Sequence, residues 1–198
     1  MTLVIDAGHG GEDGGAVSAK GTLESSLNLE IALRVEDLSA LLGIKPYMIR
    51  TEDVSVYTGE CTTIAQKKVS DLKNRVKTVN SIPNALLLSI HQNHFAESKY
   101  YGTQVFYGKE DSSRMLAETM QEDFKTYLNT NNHRMSKPAQ SVYLMEHVTC
   151  TAILVECGFL SNLAEEQLLQ EETYQKKLAM TMLRVIASEG KAVRNSEI

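Results

Sequence analysis

Two histidines and two glutamates stand where this sequence could assemble a catalytic site. His9 follows the apolar run 3–5 in a glycine-rich corner, and His91 directly follows the apolar run 85–90. Glu156 directly follows the apolar run 152–155, and Glu24 lies at or just before the first turn of a predicted helix. Two imidazoles and a carboxylate form the open ligand set of a catalytic zinc site, which leaves one position to water. Zinc lowers the pKa of that water from about 15.7 towards about 7, and a further carboxylate can take and return its proton. The sequence therefore offers one carboxylate for each role.

Each of these residues also has a purely structural interpretation. His9 and His91 could be core histidines with satisfied hydrogen bonds, and Glu24 could simply favour a helix start, where the helix dipole attracts a carboxylate. Glu156 is harder to explain in this way, because a carboxylate that ends an apolar strand is buried at a cost unless something pairs with it. From the residues alone, both interpretations stay open.

The same segments suggest two other chemistries. Cys157 adjoins Glu156 and could act as a nucleophile, but successive strand residues point to opposite faces of a sheet. We therefore expect Cys157 to face the helices as a small apolar residue. The glycine-rich corner at residues 8–15 could bind phosphate, but it carries Glu12 and Asp13 and has no P-loop lysine.

The elements that must position these residues alternate between strand and helix. Strands are predicted at residues 3–5, 46–50, 85–90, 102–107, 141–145 and 152–155. Helices are predicted at residues 27–42, 69–79 and 116–128, after a cap at Ser161 or Asn162, and at 174–186 with a stop near Gly190. This alternation predicts an α/β three-layer sandwich, in which helices flank a central, mostly parallel, twisted sheet of about six strands. If the first and third of these strands are parallel neighbours, His9 and His91 lie on one rim of the sheet.

Length and composition limit the domain count and the function classes. A chain of 198 residues that is 42% hydrophobic predicts a single catalytic domain over residues 1–190, followed by a frayed tail at 191–198. The net charge of -5 argues against nucleic-acid binding. No apolar run reaches the roughly 18–20 residues of a membrane helix. Strand-like sequence begins at Thr2, which predicts either a cytoplasmic protein or a mature chain whose export segment has been removed. One group of basic residues is predicted to form a solvated helix face: Lys67, Lys68, Lys73, Arg75 and Lys77.

Several motifs together resemble the zinc-dependent N-acetylmuramoyl-L-alanine amidases. They are IDAGHGGEDGGA, the helix-opening Glu24, RTED, LKNRV with Asn80 beyond it, SIHQN and LVECGFLSN. The resemblance implies the fold of zinc-dependent exopeptidases and phosphorylases, one Zn²⁺ held by His9, Glu24 and His91, and Glu156 as the catalytic carboxylate. It implies hydrolysis of the amide between the lactyl group of N-acetylmuramic acid and the L-alanine of the peptidoglycan stem peptide. Ala7 departs from the pattern, because the family usually has proline at that position.

The resemblance also carries finer expectations. The segment IAQKKVSDLKNRV is similar to a branch in spore-forming bacteria that trims cortex peptidoglycan in sporulation and germination. Arg134 lies in the loop that matches the family's basic substrate-side loop and is expected to hold a stem-peptide carboxylate, and Asn93 is a second candidate substrate contact.

Partners, location and alternatives follow from the same resemblance. The implied partners are glycan strands and stem peptides, with an activating or targeting protein as a further candidate. We expect a monomer that acts outside the cytoplasm, in the cell wall or the spore cortex and intermembrane space. Two alternatives are a non-catalytic peptidoglycan-binding protein on the same scaffold and a related metal exopeptidase.

Overall fold

A six-stranded mixed sheet lies at the centre of the computed structural model, which describes the backbone of residues 1–196 and the side chains of residues 1–189. The strands are β1 (Thr2–Ala7), β2 (Tyr47–Met48), β3 (Ala85–Asn93), β4 (Gln104–Tyr107), β5 (Lys137–Pro138) and β6 (Thr151–Phe159). They lie in the order β2-β1-β3-β6-β4-β5. All neighbouring pairs are parallel except β4 and β6, which run antiparallel. The sheet is therefore mostly parallel.

Helices cover both faces of this sheet. They are α1 (Glu24–Ser39), α2 (Ile64–Ser81), α3 (Asp111–Tyr127), α4 (Tyr143–His147), α5 (Leu163–Leu169) and α6 (Glu172–Ser196). One apolar core joins the sheet to α1, α3 and α6, and a smaller one joins its other face to α2 and α4. The central strands are apolar on both faces, as buried parallel strands must be. These layers confirm the predicted three-layer α/β sandwich.

Residues 143–145 belong to the short helix α4, and residues 141–142 lead into it. The strand predicted at residues 141–145 is therefore wrong. The backbone N–H groups of Glu146 and Val148 donate to Val142 and Leu144, four residues back. The Glu146 carboxylate also accepts from the backbone N–H of Ser141 at 2.9 Å. A short apolar run fits a strand or a helical turn equally well, so its periodicity could not decide.

Three helix ends also differ clearly from the prediction. Helix α3 begins at Asp111 rather than at residue 116. Helix α2 begins at Ile64, five residues earlier than expected, because Thr63 and Gln66 form a capping box at its start. Helix α6 continues past Gly190 to Ser196. Residues 191–196 of the predicted frayed tail are therefore helical, and residues 197–198 lie outside the described part of the chain.

Candidate metal centre and active site

Three neighbouring strands bring the candidate residues to the same rim of the sheet. β1 leads into the turn that carries His9, β3 carries His91, and β1 and β3 are parallel neighbours. β6 carries Glu156 directly opposite His91 in the register of the two strands. Glu24 reaches the rim from the first turn of α1. The prediction that both imidazoles share one rim is confirmed.

His9, Glu24 and His91 converge on a single point. One potential ligand atom of each residue lies within 4.8 Å of the other two. Oε1 of Glu24 is 2.9 Å from Nδ1 of His91 and 3.4 Å from Nε2 of His9. Ligands at the Zn–N distance of about 2.0–2.1 Å lie about 3.3 Å apart in a tetrahedral site. The three donors therefore fit one zinc ion.

The glycine corner allows this convergence. His9 has a φ of 62° and Gly10 a φ of 134°, so the chain turns sharply as soon as β1 ends. A Cβ atom on Gly8 would lie 2.2 Å from Cε1 and Nε2 of His91. Only a glycine lets the turn pass this close to the second imidazole.

Hydrogen bonds orient two of the three donors. Nδ1 of His9 donates to Oδ2 of Asp13 at 2.9 Å, which leaves Nε2 free to bind a metal. Asp13 is itself held by the Lys68 ammonium at 2.7 Å. The Glu24 carboxylate accepts from the backbone N–H of Ala16 at 2.8 Å and from that of Gln92 at 3.2 Å.

Two buried arginines, Arg50 and Arg75, hold the backbone of the His9 turn, a contact that the sequence did not predict for either of them. Arg75 donates to the carbonyl oxygen of Ala7 at 2.9 Å and to that of His9 at 2.7 Å. Arg50 donates to the carbonyl oxygens of Ala7 at 2.8 Å and Gly8 at 3.0 Å. The turn is therefore fixed by protein groups on both sides.

The burial of Arg75 corrects the prediction of a solvated basic face, since this residue is only 2% exposed. Its guanidinium lies 2.5 Å from carboxylate oxygens of both Asp6 and Asp71. Burial opposes the ionisation of Asp6, but Arg75 and the Ser89 hydroxyl hold the pKa of Asp6 below its ordinary value. Asp6 was the available signal, because a carboxylate inside an apolar strand requires a buried cation.

Glu156 combines burial with an unsatisfied oxygen. Among the side chains the structure describes, its Oε2 is shielded from solvent and has no hydrogen-bond partner. Burial raises the pKa of Glu156 to about 7, and the negative charge of Glu24 adds to the rise, while His91 and His9 oppose it. A carboxyl group with such a pKa can both accept and donate a proton at neutral pH.

Cys157, the neighbour of Glu156, faces the other side of the sheet. It is fully buried in the core beside α1, α3 and α6. Burial raises the pKa of its thiol, so the thiolate needed for nucleophilic attack is disfavoured. The expectation that Cys157 packs as a small apolar residue is confirmed.

The three donors attract one another by charge. Burial disfavours the charged forms of His9 and Glu24, but the hydrogen bonds and opposite charges of their neighbours together outweigh it. The pKa of His9 is raised to about 9, with Asp13 contributing, and the pKa of Glu24 is held well below its usual range by both histidines.

We predict that zinc affinity rises about tenfold per pH unit between pH 7 and pH 9. His9 must lose its proton to bind a metal, so protons compete with zinc until the pH passes about 9. Competition with a chromophoric chelator across this range measures the slope. In Asp13→Asn the slope should level off at a lower pH, because a charge that stabilises the imidazolium is gone. An affinity independent of pH would contradict the assignment of His9.

Arg134 lies on the far side of Glu156 from His91. Gln104 of β4 is the register partner of Glu156, and its Oε1 accepts from Nη1 of Arg134 at 2.9 Å. Nε of Arg134 donates to the carbonyl oxygen of Tyr101, and the guanidinium lies 4.4 Å from the centre of the Phe159 ring. These three contacts are uncharged, and the Glu165 carboxylate acts on the Arg134 charge through space.

Asn93 lies at the last position of β3, two residues beyond His91. Its carbonyl oxygen accepts from the backbone N–H of Leu160 at 2.8 Å. The structure thus puts Asn93 at the same rim as His91, opposite Phe159 of β6.

The sequence of residues 3–188 matches the family profile described as N-acetylmuramoyl-L-alanine amidase. The chain belongs to this amidase family. A germination-specific N-acetylmuramoyl-L-alanine amidase of Bacillus subtilis (strain 168) is 37% identical over 185 residues, which are 93% of this chain and 77% of the relative. The predicted enzyme class, a hydrolase of the bacterial cell wall, is confirmed.

Solved structures agree with the fold of the amidase. The CwlD amidase of Clostridioides difficile, solved in complex with the GerS lipoprotein, superposes with a TM-score of 0.92 at 38% identity, and the match covers 96% of this chain and 98% of that one. The amidase AmiC2 of Nostoc punctiforme superposes with a TM-score of 0.80 at 26% identity, covering 96% and 97% of the two chains. Within the described part of the amidase, no helix has the length and apolarity needed to cross a bilayer.

Proposed function

We propose that this amidase hydrolyses the bond between the lactyl carbonyl of N-acetylmuramic acid and the nitrogen of L-alanine, with one Zn²⁺ held by His9, Glu24 and His91. The observation that carries the proposal is Oε2 of Glu156, a shielded carboxylate oxygen beside His91 that has no hydrogen-bond partner among the described side chains. When bound, Zn²⁺ supplies a Lewis acid that polarises the scissile carbonyl and acidifies the attacking water.

Glu156 moves the proton in this reaction. Its carboxylate takes a proton from the water as the oxygen adds to the lactyl carbonyl carbon. The protonated carboxyl then donates that proton to the alanine nitrogen as the carbon–nitrogen bond breaks. The products are a free lactyl carboxyl group and a stem peptide with a free amino terminus, and Glu156 returns to its starting state.

Arg134 and Asn93 are the proposed contacts of the stem peptide. The guanidinium of Arg134 donates to Gln104, the register partner of Glu156, and a peptide carboxylate can pair with it there. Asn93 offers amide donors and acceptors at the same rim. We place this chemistry outside the cytoplasm, in spore peptidoglycan, because the Bacillus subtilis relative is germination-specific.

A protein partner is also part of the proposal. The Clostridioides difficile relative was solved in complex with a lipoprotein. We propose a partner of the same kind for this chain, one that delivers the amidase to its substrate or promotes zinc binding.

Metal analysis combined with muropeptide digestion tests the proposal. The purified protein should bind about one equivalent of zinc, release stem peptide from muropeptides, and lose this activity in chelator until zinc is restored. Mass spectrometry should find a peptide-free lactyl group. Shortened peptides would indicate an exopeptidase, and binding without cleavage by the zinc-loaded protein would indicate a non-catalytic relative.

A further inference from the structure

A cleft of about 230 Å³ opens directly beside the metal centre, between the sheet and helices α2 and α4. His9 and His91 form its upper end. Four apolar side chains line it: Leu72, Val142, Leu144 and Leu154. The reaction described above uses none of these four, so the cleft needs an explanation of its own.

The direction of the substrate follows from the order of residues along the rim. Glu156 donates to the leaving nitrogen, so that nitrogen lies within hydrogen-bond reach of its carboxylate. Arg134 lies beyond Glu156 on one side, next to Gln104, and His91 lies on the other. The stem peptide therefore extends towards Arg134. The muramoyl half, attached to the carbonyl carbon, extends over His91 and the cleft.

The polar groups deep in the cleft are already engaged with one another. Asp6, Asp71 and Arg75 form the buried ion cluster, and the Ser89 hydroxyl donates to Asp6 at 2.6 Å. The surface left for a ligand is therefore apolar. At the upper end of the cleft, by contrast, the Lys68 ammonium and the Asp13 carboxylate supply a donor and an acceptor.

On the muramoyl half, the 2-acetamido group has this combination of a methyl group and an amide. Its four heavy atoms need roughly 120 Å³, at the ~30 Å³ that a water molecule occupies in the liquid. The cleft has room for this group and for the lactyl methyl group beside it.

We propose that this cleft binds the 2-acetamido group of N-acetylmuramic acid. The acetyl methyl packs against Leu72, Leu144 and Leu154, Lys68 donates to the acetamido oxygen, and Asp13 accepts from its N–H. The inference rests on the proposed function and deepens it, since it names the part of the substrate that selects muramoyl amides from other amides.

A series of N-acyl substrates tests the cleft. Wild-type kcat/KM should be at least about tenfold higher for the N-acetyl than for the N-formyl muramoyl peptide, because only the former fills the apolar pocket. Leu72→Phe narrows the cleft and should reduce that ratio to about one. Leu72→Ala widens it and should shift the preference towards N-butyryl. Leu72 is 36% exposed, so both variants should fold.

Val69→Phe is the matched control, because Val69 lies one turn away on α2, is exposed, and does not line the cleft. Its selectivity should equal that of the wild type, and zinc content should be the same in all four proteins. A wild-type ratio near one, or a ratio unchanged in both Leu72 variants, overturns the inference and leaves the proposed function standing.

The inference can also be tested if the wild type releases no stem peptide, which would refute the proposed function. The methyl glycoside of N-acetylmuramic acid is then titrated into wild type and Leu72→Phe and followed by NMR. An affinity at least tenfold weaker in the variant supports the cleft, and equal affinities overturn it.

Discussion

Replacing Glu156 with glutamine lowers kcat for stem-peptide release by a factor of about 10²–10⁴, while zinc binding stays near one equivalent. This range is typical for the loss of a general acid–base group. Glutamine keeps the size of the side chain but cannot take a proton from water or return it to the alanine nitrogen. Steady-state digestion of muropeptides gives kcat, and metal analysis of the same samples gives the zinc content.

Glu118→Gln is the control for the Glu156 experiment, because Glu118 is an exposed glutamate on α3, away from the rim. It should have wild-type activity. If Glu156→Gln keeps more than about a tenth of the wild-type kcat, another group moves the proton. Loss of zinc together with activity would instead make Glu156 a metal ligand.

Replacing Arg75 with methionine lowers the free energy of unfolding by about 3–5 kcal/mol, the usual cost of removing one partner from a buried ion pair. Asp6 and Asp71 both lose the cation that lies 2.5 Å from each of them. Urea unfolding of the metal-free protein measures the change. Lys73→Met, at an exposed position of the same helix, should change stability by less than about 0.5 kcal/mol.

The pH dependence of the Arg75 effect gives a second readout. Because Arg75 holds the pKa of Asp6 below the ordinary aspartate value of about 3.9, its stabilisation is present above about pH 4 and is lost as the pH falls further. In Arg75→Met, protonation at low pH neutralises the carboxylates of Asp6 and Asp71, which no longer have a cation beside them. The stability difference between the two proteins should therefore narrow in acid. A difference that stays constant from pH 7 to pH 3 would refute the ion cluster.

The strand ends were predictable because apolar runs in an alternating α/β chain fix where each strand stops. That placed His9, His91 and Glu156 at one rim, and the structure gives all three there. Which face each residue takes also followed, since Cys157 alternates with Glu156. Both the strand ends and the alternation of faces depend only on neighbouring residues, so they can be predicted from the sequence.

Helix α2 shows what the sequence could not supply. Its apolar residues Val69, Leu72, Val76 and Val79 predict one buried face. Of these only Val79 is fully buried, and Asp71 and Arg75 are buried on the same side of the helix. The rotation is set by Asp6, 69 residues before Arg75, whose charge must be neutralised inside the sheet. A pairing between such distant residues has no local pattern. The wrong prediction of a strand at α4 has a similar cause. The five residues 141–145 fit a strand or a helical turn equally well, and only tertiary packing decides between the two.

The hydrogen bonds from Arg50 and Arg75 to the His9 turn also have a consequence for the stability of the protein when zinc is removed. In small zinc domains the metal itself drives folding, and removing it unravels the chain. Here the bonds from Arg50 and Arg75 to the turn carbonyls are independent of any ion. We therefore expect the amidase to stay folded when zinc is removed and to recover its activity when zinc is added back, without refolding.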